Sequence, residues 1–222
     1  MTTAEQDTPT VRALQGLEDG RASVRLRAAM AIGSNPDPRA VGKLVERCSI
    51  EPEFSVREML TWALTRHPAS LTVPRLIDEL RSERPQARSQ ALHTLSKTGD
   101  RRAWPAITPA LLSDGDDEVA RTAWRAAVAL VPEGGEPALA GALVTHLGRG
   151  GREMQLSLSR ALIALGEAAL PALSAAMTDA APHVRHHADA TERLLRDPDA
   201  GFEFAIEEAK RVAALQDRPG GA

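Results

Sequence analysis

Apolar residues recur at helical spacing along this chain, and short polar turns interrupt them at regular distances. The pattern is cleanest from Ser70 to Gly99: Val73, Leu76, Ile77 and Leu80 write one helix, a polar turn follows, and Ala87 through Leu95 write a second. The same grammar predicts helices over 11–18, 24–32, 41–48 and 56–64, with Asp37-Pro38 and Ser70 as helix-start signals. Ala103 to Leu112 then predicts a first-position helix. An acidic turn over Asp114–Asp117 leads to a second helix opening at Val119. Further helices are predicted over 138–147, 154–165, 170–177 and 184–195. Beyond Asp197-Pro198, Phe202, Ile206, Ala209 and Ala213 fall on one face of a final helix, with Glu203, Glu207, Glu208 and Lys210 opposite.

The second helix of each pair opens on an anchor residue. Val24, Val56, Ala87 and Val119 follow one another at intervals of 32, 31 and 32 residues. Val184 comes 65 residues after Val119, leaving room for one unit anchored near Met154. Two helices per period of about thirty residues predict an all-α fold, an α-solenoid of about six helical hairpins. The expected organisation is a disordered tail over 1–10, the solenoid over 11–196, a capping helix over 197–217 and a short disordered tail over 218–222.

The turns carry a second signal. Asp19, Glu51, Asp114 and Asp179 each stand five residues before an anchor, and Ser82 takes that place ahead of Ala87. Arg25, Arg57, Arg88 and Arg185 directly follow their anchors, whereas the unit at Val119 places Ala120 there and shifts the arginine to Arg121. A basic stripe for an anionic partner is one reading. A ladder of arginines forked to carboxylates or turn carbonyls is the other, and the phase of the acids favours it.

Composition narrows the functional classes. Aromatic residues make up 3% of the chain and tyrosine is absent, so the core is built from Ala, Leu and Val, as close helix packing needs. A formal net charge of −3 supplies no global attraction for nucleic acid or anionic membrane. Cys48 is the single cysteine, and no apolar run is long enough to span a bilayer, so a cytoplasmic protein is expected.

Val73-Pro74-Arg75-Leu76, Leu170-Pro171-Ala172-Leu173 and the Val-Arg openings at Val24, Val56 and Val184 resemble HEAT-like repeats of the kind first described in phycobilin lyases. The resemblance covers about residues 11 to 196 and is nearest to stand-alone bacterial HEAT proteins. It implies a curved stack whose second helices line a concave face used to bind proteins. Enzymes with similar repeats set the alternatives. Deoxyhypusine hydroxylase needs paired His-Glu motifs, and this chain has no His-Glu dipeptide. Phycobilin lyases act on tetrapyrroles, and only the shared repeats match them. Alkylpurine glycosylases of this architecture use tryptophans on a basic concave surface.

Trp62 and Trp124 lie six and five residues past their anchors and are the candidate aromatic anchors, accompanied by Glu58, Arg66, His93, Arg121 and Arg125. Trp104 holds the position of Val73 and Leu170 and is assigned to the core. His183, His186 and His187 open the last regular helix and are secondary candidates for a metal, without a second cluster to complete the ligand set. Gly148–Gly151 lacks the Lys-Ser/Thr of a phosphate loop and reads as a turn, and Cys48 reads as a small buried hydrophobe. The expectation is a non-catalytic scaffold without cofactor that binds a protein or peptide along its concave face. Nucleic-acid binding with repair-like chemistry is the alternative, and a metal- or tetrapyrrole-dependent enzyme the third.

Overall fold

The computed structural model describes residues 9–197 and Lys210, and every regular element among them is helical. These are α1 (Pro9–Gly16), α2 (Ala22–Ser34), α3 (Val41–Cys48), α4 (Phe54–Thr65), α5 (Ala69–Glu79) and α6 (Pro85–Thr98), then α7 (Pro109–Leu112), α8 (Asp117–Leu130), α9 (Glu136–Val144), α10 (Arg152–Ala164), α11 (Leu170–Ala176) and α12 (Pro182–Arg196). The predicted N-terminal tail loses Pro9 and Thr10 to α1. The capping helix predicted over 197–217 lies outside the described residues, apart from Asp197 and the helical Lys210.

Local chemistry sets most of the boundaries. Pro85 and Pro182 occupy first-turn positions where their missing N–H costs nothing, and the Asp37 side chain accepts a bond from the Arg39 N–H ahead of α3. Gly99 ends α6 in the left-handed region, at φ 67°, and returns its N–H to the Leu95 carbonyl. Two expectations are corrected. Ser70 is inside α5 and does not cap it, because the helix already starts at Ala69. Residues 103–112 are not one helix: a 3-10 segment, Arg101–Ala106, and the short α7 replace it. Pro105 removes a donor, and Pro109 biases Thr108 away from helical backbone, so the helix cannot run through.

The chain divides into two compact units, Met1–Thr108 with Glu118–Leu130 and Pro109–Asp117 with Val131–Ala222. In the first, α2, α4 and α6 pack side by side as one layer, α3 and α5 form the other, and each hairpin closes on itself. Leu44, Leu60, Leu64, Leu76, Leu92 and Leu95 fill the space between and are fully buried. In the second, α10 packs on α12, α9 on α11, and α11 on α12, around Leu143, Leu158, Leu162 and Leu173. Each such leucine contributes about 1.5–3 kcal/mol by leaving water. This two-layer stacking of successive hairpins is solenoid packing.

The turns resolve the repeated acid and arginine. Asp19, Glu51, Ser82, Asp114 and Asp179 each use a side-chain oxygen to accept the backbone N–H two residues on, at 2.8–3.3 Å. Serine therefore does the work of the acid in the turn at Ser82. Arg25, Arg57, Arg88 and Arg185 reach back to two carbonyls of their own turn, five and six residues earlier. The arginine thus closes its own hairpin. One arginine also crosses to the next: Arg25 forks onto Glu51 at 2.7 and 2.8 Å, inside the protein. Arg47 adds a third contact to Glu51 at 2.9 Å. Burial opposes the charge on Glu51, but Arg25, the Glu53 N–H and Arg47 outweigh it and hold the carboxyl at about 2.

Candidate functional site

Counting from the anchor separates the interior from the surface in the first unit. Position +5 carries Ala29, Thr61, Leu92 and Trp124, all buried. Position +6 carries Met30, Trp62, His93 and Arg125, all at least partly open to solvent. One residue turns the helix by about 100°, enough to move a side chain between the two faces. Trp124 is 0% exposed and is a core residue, which corrects its place among the surface anchors. Trp62 is 39% exposed and Met30 47%. Met30 was missed by composition-led reasoning, although it shares the register of Trp62.

Trp62 reaches its position by lying over Gly33 of α2, with no side chain between the indole and that backbone. Glu58, one turn before Trp62, faces His93 on α6, with Oε1 3.1 Å from Nε2. The pair is close enough for an ionic contact when His93 is protonated. Burial lowers the His93 pKa, Glu58 opposes that shift, and Arg125 and Lys97 reinforce it. On α8, Glu118 gathers Arg121, Arg125 and the Thr122 hydroxyl. Arg125 also donates to Thr122 Oγ1 at 2.9 Å. Arg66 and Lys97, one turn beyond Trp62 and His93, are exposed and meet no acid among the described residues. Glu58, Trp62, Arg66, His93, Arg121 and Arg125 therefore lie at the accessible registers of second helices in one unit. The arrangement offers two exposed apolar side chains bordered by partly neutralised charge.

The histidine cluster in the second unit dissolves. His187 is buried on α12: its Nδ1 accepts the Gly148 N–H at 3.0 Å, which fixes the proton on Nε2. That nitrogen lies 3.1 Å from the Gln155 carbonyl and 2.9 Å from Ser159 Oγ. Burial lowers its pKa to about 4. Both ring nitrogens are committed to structure, so His187 is removed from the candidate metal ligands. It cannot serve Ser159 as a base either, because the nitrogen facing that hydroxyl carries the proton. The His183 ring also lies against Gly148. No group of three or more His, Cys, Asp or Glu side chains suited to a metal occurs among the described residues.

Two further assignments are settled. Trp104 is half-buried in the 3-10 segment, and Ala103 takes the core position expected of it. Cys48 is buried on α3, and burial pushes its thiol up to about 12, so it packs as a hydrophobe. No single helix among the described residues is long and apolar enough to cross a membrane.

Residues 73–162, spanning hairpins from α5 to α10, match the family model for HEAT repeats. That segment carries HEAT repeats. No curated protein matches it in sequence. Among solved structures it is similar to a chain in the complex of CpcE and CpcF of phycocyanin lyase from Nostoc sp. PCC7120. That match has 19% identity and a TM-score of 0.37, covering 93% of this chain and 95% of the other. The anchors Ala87, Val119 and Met154 fall within the matched HEAT segment, so the register used above runs through it.

Proposed function

We propose that this HEAT-repeat protein is a non-catalytic scaffold. It binds a protein or peptide along the outward face of the second-helix row in its first unit. The observation that carries the reading is the pair of apolar side chains, Met30 and Trp62, presented to solvent at equal register on adjacent helices. Large apolar groups bordered by charge are the usual anchors of protein interfaces. Glu58, His93, Arg121 and Arg125 form the polar border, and Arg66 and Lys97 supply charge that meets no acid among the described residues. Affinity capture from the native host with wild-type and Trp62→Ala proteins tests this. A partner retained by the first and lost from the second supports the reading; identical partner profiles overturn it.

An anionic nucleic-acid strand is the second reading, favoured by Arg66, one turn past the exposed indole, and by the exposed Lys97 on α6. The burial of Trp124 leaves a single exposed tryptophan on the row, which weakens a stacking platform. A gel shift at two salt concentrations separates the readings, since phosphate contacts make binding steeply salt-dependent.

A further inference from the structure

The row around Trp62 also selects the charge of what it binds. On α4, Glu58, Trp62 and Arg66 follow one another at intervals of four residues, and Arg66 keeps helical backbone as the cap residue. The three side chains therefore stand on one face at successive turns. On α6, packed beside α4, His93 and Lys97 follow at the same interval. Glu58 and His93 approach to 3.1 Å across the two helices, and Thr61 and Thr94 to 3.3 Å. Both contacts advance in the same chain direction, so α4 and α6 run parallel. One turn past the Glu58–His93 contact, the two helices carry Trp62 and Lys97. Burial is the main cause of the lowered His93 pKa, and the charge of Lys97 adds to it, which sets that ammonium near the same face.

Charge along this face is sorted. On the N-terminal side of the indole stands the carboxylate of Glu58. On its C-terminal side stands Arg66, and Lys97 lies in the last turn of α6. Arg66 and Lys97 are exposed and meet no acid among the described residues. The helix macrodipole favours a cation at that end but occupies none of its N–H donors. The guanidinium fork and the ammonium are thus left for carboxylates from outside. The chain as a whole has a net charge of −3, so this cationic end runs against the sign of the molecule. A nucleic-acid strand would carry phosphates past both sides of the indole and meet Glu58. A peptide whose acids lie on one side of its apolar anchor avoids that repulsion.

We propose, resting on the scaffold reading, that the partner segment is acidic. Its bulky apolar side chain packs against Met30 and Trp62, and carboxylates confined to one flank of that side chain pair with Arg66 and Lys97.

Selection of a random dodecapeptide library on the full chain, with Trp62→Ala as the counter-selection, tests this. Peptides held by the wild type alone are expected to carry a bulky apolar residue with Asp or Glu gathered on one side of it. Their affinity, read by fluorescence anisotropy, is expected to fall at least ten-fold for the double variant Arg66→Glu, Lys97→Glu. The milder double variant Arg66→Gln, Lys97→Gln is expected to weaken binding in the same direction and decides the matter if the first fails to fold. Trp62-dependent peptides that are neutral or basic, or whose affinity ignores both double variants, overturn the acidic partner and leave the scaffold reading standing. Labelled oligothymidylate that binds the wild type more tightly than the best peptide also overturns it. If no peptide distinguishes the wild type from Trp62→Ala, the scaffold reading fails and the acidic partner with it.

Discussion

Trp62 and Gly33 are in direct contact across adjacent second helices: a Cβ built on Gly33 would stand 2.3 Å from the indole Cζ3 and 2.9 Å from the Ala63 Cα. The glycine keeps α2 and α4 close and gives the indole a flat seat. Gly33→Ala is therefore expected to destabilise the protein by about 1–3 kcal/mol, despite alanine's better helix propensity, and to lift the indole into water. Denaturant unfolding with tryptophan emission checks both effects, the second as a red shift. An alanine variant of unchanged or higher stability would show that the helices slide apart at little cost.

The two tryptophans of the second helices should behave differently on truncation. Trp124→Ala removes a fully buried side chain and is expected to cost about 3–5 kcal/mol. Trp62→Ala, partly in water already, should cost clearly less while carrying the larger loss of partner binding. Urea midpoints of the two variants, measured side by side, decide it.

Glu51 joins two hairpins through Arg25 and Arg47. Arg25→Ala leaves the carboxylate buried without its main partner, and a loss of about 3–5 kcal/mol is expected. The folded pKa of Glu51 lies below its ordinary 4.5, at about 2. Its contribution is thus complete above pH 4.5 and is lost as the pH falls toward 2. The acid limb of the stability curve should flatten in the Arg25→Ala variant.

His187 acts earlier on the pH scale. Its folded pKa, about 4, is below the ordinary 6.5, so the unfolded chain takes up a proton first as the pH falls. Stability should decline between pH 6.5 and 4, by about 3 kcal/mol from this residue. His93 and His146, both lowered by burial, add slope of the same sign. Subtracting the profile of His187→Gln from that of the wild type isolates the His187 share.

The hairpin order could be read from the anchors because Val24, Val56, Ala87 and Val119 keep one phase over three intervals. Periodicity was blind to the interruption at Pro105 and Pro109, where backbone chemistry overrides an apolar pattern. In the site, the decisive difference was one residue: Trp62 at +6 and Trp124 at +5 read as neighbours in sequence yet face water and core. Met30 could have been found by applying the same register strictly. The commitment of His187 to the Gly148 N–H was illegible, since it depends on residues 39 apart in the chain.

Because Arg57, Arg88 and Arg185 fasten their own hairpins, these modules carry their closures with them. A gene duplication or deletion that inserts or removes a whole module there carries each of these arginines together with the turn carbonyls it binds. The junction held by Arg25 and Glu51 is different: both halves must be inherited together. Lineages of this protein should therefore vary in length elsewhere and keep that first joint intact.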